Sequence, residues 1–135
     1  MTDTRAQQQS ITQPVWKLNC GVSVGMQTIL GIKHFAEMRC AFEGSSRVWP
    51  FETGFATTPS APEIWFAEIF PSLVPIDASV SACGGPLDRE QVESCVLEAA
   101  LRDATNQMPA TFAQPSISPS EVGRVLDEEG WMLFL

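Results

Sequence analysis

Residues 63–71 read Glu63-Ile64-Trp65-Phe66-Ala67-Glu68-Ile69-Phe70-Pro71. This near-continuous apolar run, with β-branched and aromatic members, predicts a strand buried on both faces of a sheet flanked by helices. Pro71 ends it, because proline cannot donate to a ladder. Glu68 breaks the pattern. A carboxylate in such a strand costs on the order of several kcal/mol unless it is paired or holds a cation. Glu68 is therefore either an acid that binds a metal or one half of a buried salt bridge to an arginine.

Upstream, Arg47-Val48-Trp49-Pro50-Phe51 predicts a short strand ended by Pro50, followed by a Thr-, Pro- and Ser-rich loop from Thr53 to Pro62. Glu52 follows that strand as a candidate member of a carboxylate cluster, though an exposed loop acid is the plainer reading. Before it, Val24, Ile29, Leu30, Phe35, Met38 and Phe42 recur at helical spacing, with Gly31 as the expected break between two short helices. Val15–Leu18 has strand-forming residues and runs into a glycine-rich turn, and 1–13 is a polar, Gln-rich tail expected to be flexible. One domain over 14–135 follows.

Downstream, 72–86 holds prolines and glycines and predicts a long irregular connection. Asp88 with Gln91 three residues on has the form of a helix N-cap with its capping-box partner. Val92, Cys95, Val96, Ala99 and Ala100 form the expected inward face of a helix reaching to about Asn106. Opening a helix after a Gly-Gly-Pro loop, Asp88 could also help hold a metal ion. Ser118-Pro119-Ser120-Glu121 is a second start signal, Gly130 its stop, and Trp131–Leu135 a short apolar strand or core anchor. Asp77 and Asp103 are weaker candidates, one in a proline-rich loop and the other near a helix end, where the dipole disfavours an anion.

Composition excludes more than it selects. Eight Lys plus Arg against sixteen Asp plus Glu give a formal charge of -8, which disfavours a broad phosphate-binding face and hence direct nucleic-acid binding without metal ions or a basic partner. No apolar stretch approaches the roughly 20 residues of a membrane span, and the N-terminus carries no signal-like run, so a cytoplasmic location is expected. Cys20, Cys40, Cys83 and Cys95 are scattered, with His34 the single histidine; free, mostly buried thiols are expected instead of a zinc site. Gly21-Val22-Ser23-Val24-Gly25 matches the nucleophile elbow of hydrolases in form, but His34 lies too close behind for the triad order. Trp16, Trp49, Trp65 and Trp131 each sit in an apolar segment, which predicts core packing.

Taken together, QPVWKL at 13–18, Ser23-Val24-Gly25 with Gln27 and LGI at 30–32, VWPFETG at 48–54, AEIFPSL at 67–73, Asp88 with Gln91-Val92, and EEGW at 128–131 resemble the C-terminal half of an uncharacterised bacterial family. That family is similar to predicted nucleases with a ribonuclease H-like fold. The resemblance implies a partial ribonuclease H-like α/β domain, with a small mixed sheet packed by helices and without the N-terminal strands. It implies that Glu68 is the strand acid and Asp88 the helix acid of a site where Mg²⁺ or Mn²⁺ activates water against a phosphodiester. The family's first-strand aspartate has no counterpart here, so the site is expected to be incomplete in this chain. Cys20 and Val22 stand where the family tends to have glycine, and Phe134-Leu135 replaces a glycine-containing ending.

The leading expectation is a metal-dependent nuclease site, incomplete in the lone chain, with Glu68 and Asp88 catalytic and Glu52 as a further metal ligand. A homo-oligomer or a separate N-terminal fragment would cover an exposed sheet edge. A noncatalytic assembly domain is the second expectation. An accessory role in cobalamin or molybdopterin biosynthesis is the third, on names attached to the resembled family.

Overall fold

The computed structural model describes residues 25–135; the expected tail, the Val15–Leu18 strand, the Gly21–Val24 part of the elbow-like turn, Trp16 and Cys20 lie outside the described residues. The described chain is mixed α/β, mostly helical, with two small two-stranded parallel sheets. Helix α1 (Gly25–Ala41) is followed by β1 (Ser46–Val48), β2 (Ile64–Phe66) and β3 (Glu68–Ile69). A 3₁₀ turn (Pro71–Leu73), α2 (Ala78–Cys83), α3 (Leu87–Ala104), α4 (Met108–Thr111) and α5 (Pro119–Arg124) come next, and a π turn (Val125–Glu129) leads to β4 (Met132–Leu133).

The strand expected over 63–70 is two strands. Ile64–Phe66 pairs with β1, in the register Ser46↔Ile64 to Val48↔Phe66, whereas Glu68 and Ile69 pair with Met132 and Leu133 of β4. The chain changes partners at Ala67, and with it the expected burial is lost: Ile64, Glu68 and Ile69 are exposed. The hydrophobic run that looked like one central strand serves two ladders, each with a solvent side.

The core gathers where these ladders meet. Trp49, Val125, Trp131 and Leu133 are buried together, with Phe55, Trp65, Phe112 and Ile117 packed around them. Trp49 meets Phe55 and Phe112 edge to face at 6.0 and 5.5 Å, and Trp65 meets Phe112 at 5.3 Å. Such aromatic geometry contributes about 0.5–1.5 kcal/mol per pair beyond area burial. The tryptophans within the described residues thus pack as core, as their apolar segments predict.

Two helix starts illustrate local chemistry. Ser118 accepts from the Glu121 amide at 3.4 Å while Glu121 accepts from the Ser118 amide at 2.8 Å, a complete capping box with Pro119 in the first turn. At α3 the expected box does not form: the N-cap is Pro86, without a side-chain cap, and Asp88 sits inside the first turn. There its charge still suits the positive helix end. Gln91 instead reaches out to Ser72 Oγ at 3.1 Å.

Helix α1 runs unbroken through Gly31, since a single glycine lowers helix stability by about 1 kcal/mol without ending the helix. Helix α3 is rotated from its expected facing. Ser94 and Cys95 are buried, whereas Val92, Val96 and Ala100 point to solvent. The Ser94 hydroxyl is what the interior uses: it accepts from the Asp77 amide at 2.9 Å and donates to Glu90 O at 2.7 Å. The connection over 72–86 is also more ordered than expected, because Asp77 caps α2 by accepting from the Ser79 amide at 2.8 Å.

Among the described cysteines only Cys95 is buried, while Cys40 and Cys83 are exposed, so the expectation of mostly buried thiols is corrected. Burial pushes the Cys95 thiol up, which keeps it unreactive.

Candidate functional site

In parallel sheets, ligands collect outside the carboxyl ends of the strands, where side chains from successive strands converge. Val48 and Phe66 are paired at that end of the β1–β2 ladder. Two of the three candidate acids follow directly: Glu52 four residues after Val48, and Glu68 two residues after Phe66. Glu68 also opens β3, so it stands at the joint between the two ladders.

Glu52 is held firmly. Its Oε2 accepts from the Val48 amide at 2.6 Å, its Oε1 accepts from Arg39 Nη2 at 2.9 Å, and its own amide donates to Val48 O at 2.8 Å. Trp49 N donates to Phe66 O, so the alternation of a strand turns the Val48 amide toward the opposite edge. Glu52 therefore closes the outer edge of β1, and Arg47 helps by donating to Ser46 O at 2.9 Å. An edge sealed by its own side chains does not template another strand, which corrects the expectation of an open sheet edge as far as β1 is concerned.

Burial raises the Glu52 carboxyl, but the Val48 hydrogen bond, the Arg39 hydrogen bond and the charges of Arg39 and Arg47 together outweigh it and leave the carboxyl below its ordinary value. A depressed folded-state value means that the carboxylate's contribution to stability is present above the ordinary glutamate range and is lost as pH falls through the folded value. Glu52→Gln should lower stability at neutral pH by about 1 kcal/mol or less, since the pair is partly solvated. The variant's melting temperature should also fall less than the wild type's between pH 6 and pH 3, read by circular dichroism. Parallel pH profiles would show that Glu52 is not the titrating clasp.

Asp88 is exposed in the first turn of α3. The Gln91–Ser72 contact, with Cys95 Sγ 3.8 Å from Pro71 O, sets this end of α3 against the turn that follows β3. Glu52 and Glu68 thus share one end of a ladder, and Asp88 is carried by the helix packed just beyond it. No family model, curated protein or solved structure matches this chain. Among the described residues no group of three His, Cys, Asp or Glu side chains is placed to hold a metal ion, so the three acids do not form a closed centre. Nor is any described helix long and apolar enough to cross a membrane.

Sequence reading passed over one other concavity. A groove of about 580 Å³ runs between Val74–Ser79 and α3, lined by Ile76, Asp77, Leu97 and Leu101 among others. Asp77 and Ser94, two of its polar members, are occupied with the cap and the inter-element hydrogen bond described above, and Glu98 accepts from Arg102 Nε at 2.6 Å. The alternating apolar residues Val74 and Ile76, just before a capping aspartate, were the available signal.

Proposed function

We propose that the chain is part of a ribonuclease H-like domain that cleaves phosphodiesters with Mg²⁺ or Mn²⁺, in which Glu68 is the strand acid and Asp88 the helix acid. The remaining ligands would come from a second copy or a separate N-terminal fragment. The observation that carries this reading is the placement of Glu68, two residues after Phe66, at the carboxyl end of the parallel β1–β2 pair. Carboxylate oxygens suit these hard cations, and Mg²⁺ is commonly held by one or two carboxylates plus water. In this reading Glu68 and Asp88 supply part of such a shell. Glu52, with both oxygens accepting N–H bonds, serves chiefly to fix the strand end.

A second observation favours the same family. Phe134 takes a φ of 71°, a backbone that glycine adopts more readily, and Phe134-Leu135 stands where the resembled family has its glycine-containing ending. Arg102 lies over the Phe134 ring at 4.7 Å and helps hold it there.

When bound, the ion supplies Lewis acidity and a low-pKa water for attack on phosphorus. The chain's own part is to position oxygen ligands at the ladder end, where Arg39 holds Glu52 in place. In a chain of charge -8, holding an anionic substrate would call for cations or a basic partner.

Mn²⁺ titration of the full chain by calorimetry tests this. Saturable binding that weakens at least tenfold, about 1.4 kcal/mol, in both Glu68→Ala and Asp88→Ala is expected. Binding unchanged in both variants would exclude the reading. A noncatalytic assembly role is the second reading, favoured by the apolar side chains that α1 and α3 leave in solvent.

A further inference from the structure

Helix α3 turns Ser94 and Cys95 inward and presents the opposite stripe to water. Arg89, Val92, Val96, Ala100 and Asp103 follow one another at spacings of three or four, the pattern that keeps residues on one seam of a helix. Val92 is 54% exposed and Val96 63%; Arg89 and Asp103 close the two ends of the seam, exposed and opposite in charge. Asymmetric ends on an apolar seam make it complementary to itself when reversed.

We propose that α3 is a self-association surface that pairs antiparallel with α3 of a second copy of this chain, about a two-fold axis through Val96. In that register Val96 meets its own copy, Val92 lies across from Ala100, and Arg89 of each copy faces Asp103 of the other. Large against small side chains allow close approach along the seam, and two ion pairs fix its direction. Within its own helix Arg89 Nε donates to Glu93 Oε1 at 2.7 Å. The opposite orientation would set Arg89 against Arg89 and Asp103 against Asp103. Charge thus selects antiparallel pairing. This goes beyond the metal-site reading and does not depend on it.

Sedimentation velocity of the full chain at micromolar concentrations tests the pairing. A dimer is expected for the wild type. Val96→Glu, which places two like charges at the axis, should raise the dissociation constant at least tenfold, and so should Arg89→Asp. The double variant Arg89→Asp with Asp103→Arg should recover the dimer, and Val96→Cys should form an intermolecular disulfide on oxidation. All these positions are exposed, so circular dichroism should be unchanged throughout. A monomeric wild type, a seam that instead takes up an unrelated polypeptide, or a dimer indifferent to Val96→Glu would overturn the proposal. The calorimetric Mn²⁺ result would stand apart from any of these.

Discussion

Trp49→Ala should destabilise the protein by about 3–5 kcal/mol, the range for removing a buried tryptophan from a core that cannot collapse around the space. Trp49 is 2% exposed and joins the two ladders to the C-terminal segment through Phe55, Phe112, Val125 and Trp131. A domain of this size has roughly 5–15 kcal/mol in all. The variant should therefore unfold at a much lower urea concentration, or fail to fold at all. Trp49→Phe keeps the comparison informative. The indole Nε1 is buried and has no hydrogen-bond partner among the described residues, so phenylalanine removes an unsatisfied donor along with some packing. Its cost should be well under half that of alanine, measured by urea denaturation. Equal losses for the two variants would mean that the indole N–H is satisfied in solution.

Gly130→Ala is expected to cost about 1–3 kcal/mol, because φ 70° with ψ -173° is a region open essentially to glycine alone. For a chain of this length that lowers the melting temperature by roughly 3–12 °C. The added methyl would also lie 2.9 Å from Phe51 Cζ. Phe51 is 46% exposed, so its ring can yield, and backbone strain carries most of the cost. Phe51→Ser in the Gly130→Ala background should accordingly restore only a small part of the stability. Full recovery would assign the cost to the clash.

The last stretch, from Ser118 on, was the most legible in the sequence because its signals are local. Ser118 with Glu121, Pro119, Gly130 and the apolar WMLFL end act within a few residues, and each occurs as read. The run EIWFAEIF was misread in extent because its partners are distant: Ile64–Phe66 answers to Ser46–Val48 and Glu68–Ile69 to Met132–Leu133. An unbroken apolar pattern does not reveal a change of partner at Ala67. The facing of α3 was hidden for a similar reason. Its apolar residues spread around the helix, and the Ser94 bonds to Asp77 and Glu90, not hydrophobicity, decide which side turns in. Of the candidate acids, Glu52 and Glu68 could be recognised by type, but their placement at one ladder end follows from parallel pairing over eighteen positions, which no short motif contains.

Crystals of the full chain grown with Mn²⁺ offer the most direct measurement, through the anomalous scattering of the ion. An anomalous peak about 2.0–2.2 Å from a Glu68 carboxylate oxygen, at the carboxyl end of the β1–β2 pair, is the predicted result. A well-occupied Mn²⁺ site elsewhere on the chain, or none at saturating ion, would contradict the assignment of Glu68 as a metal ligand and leave a fold built for association.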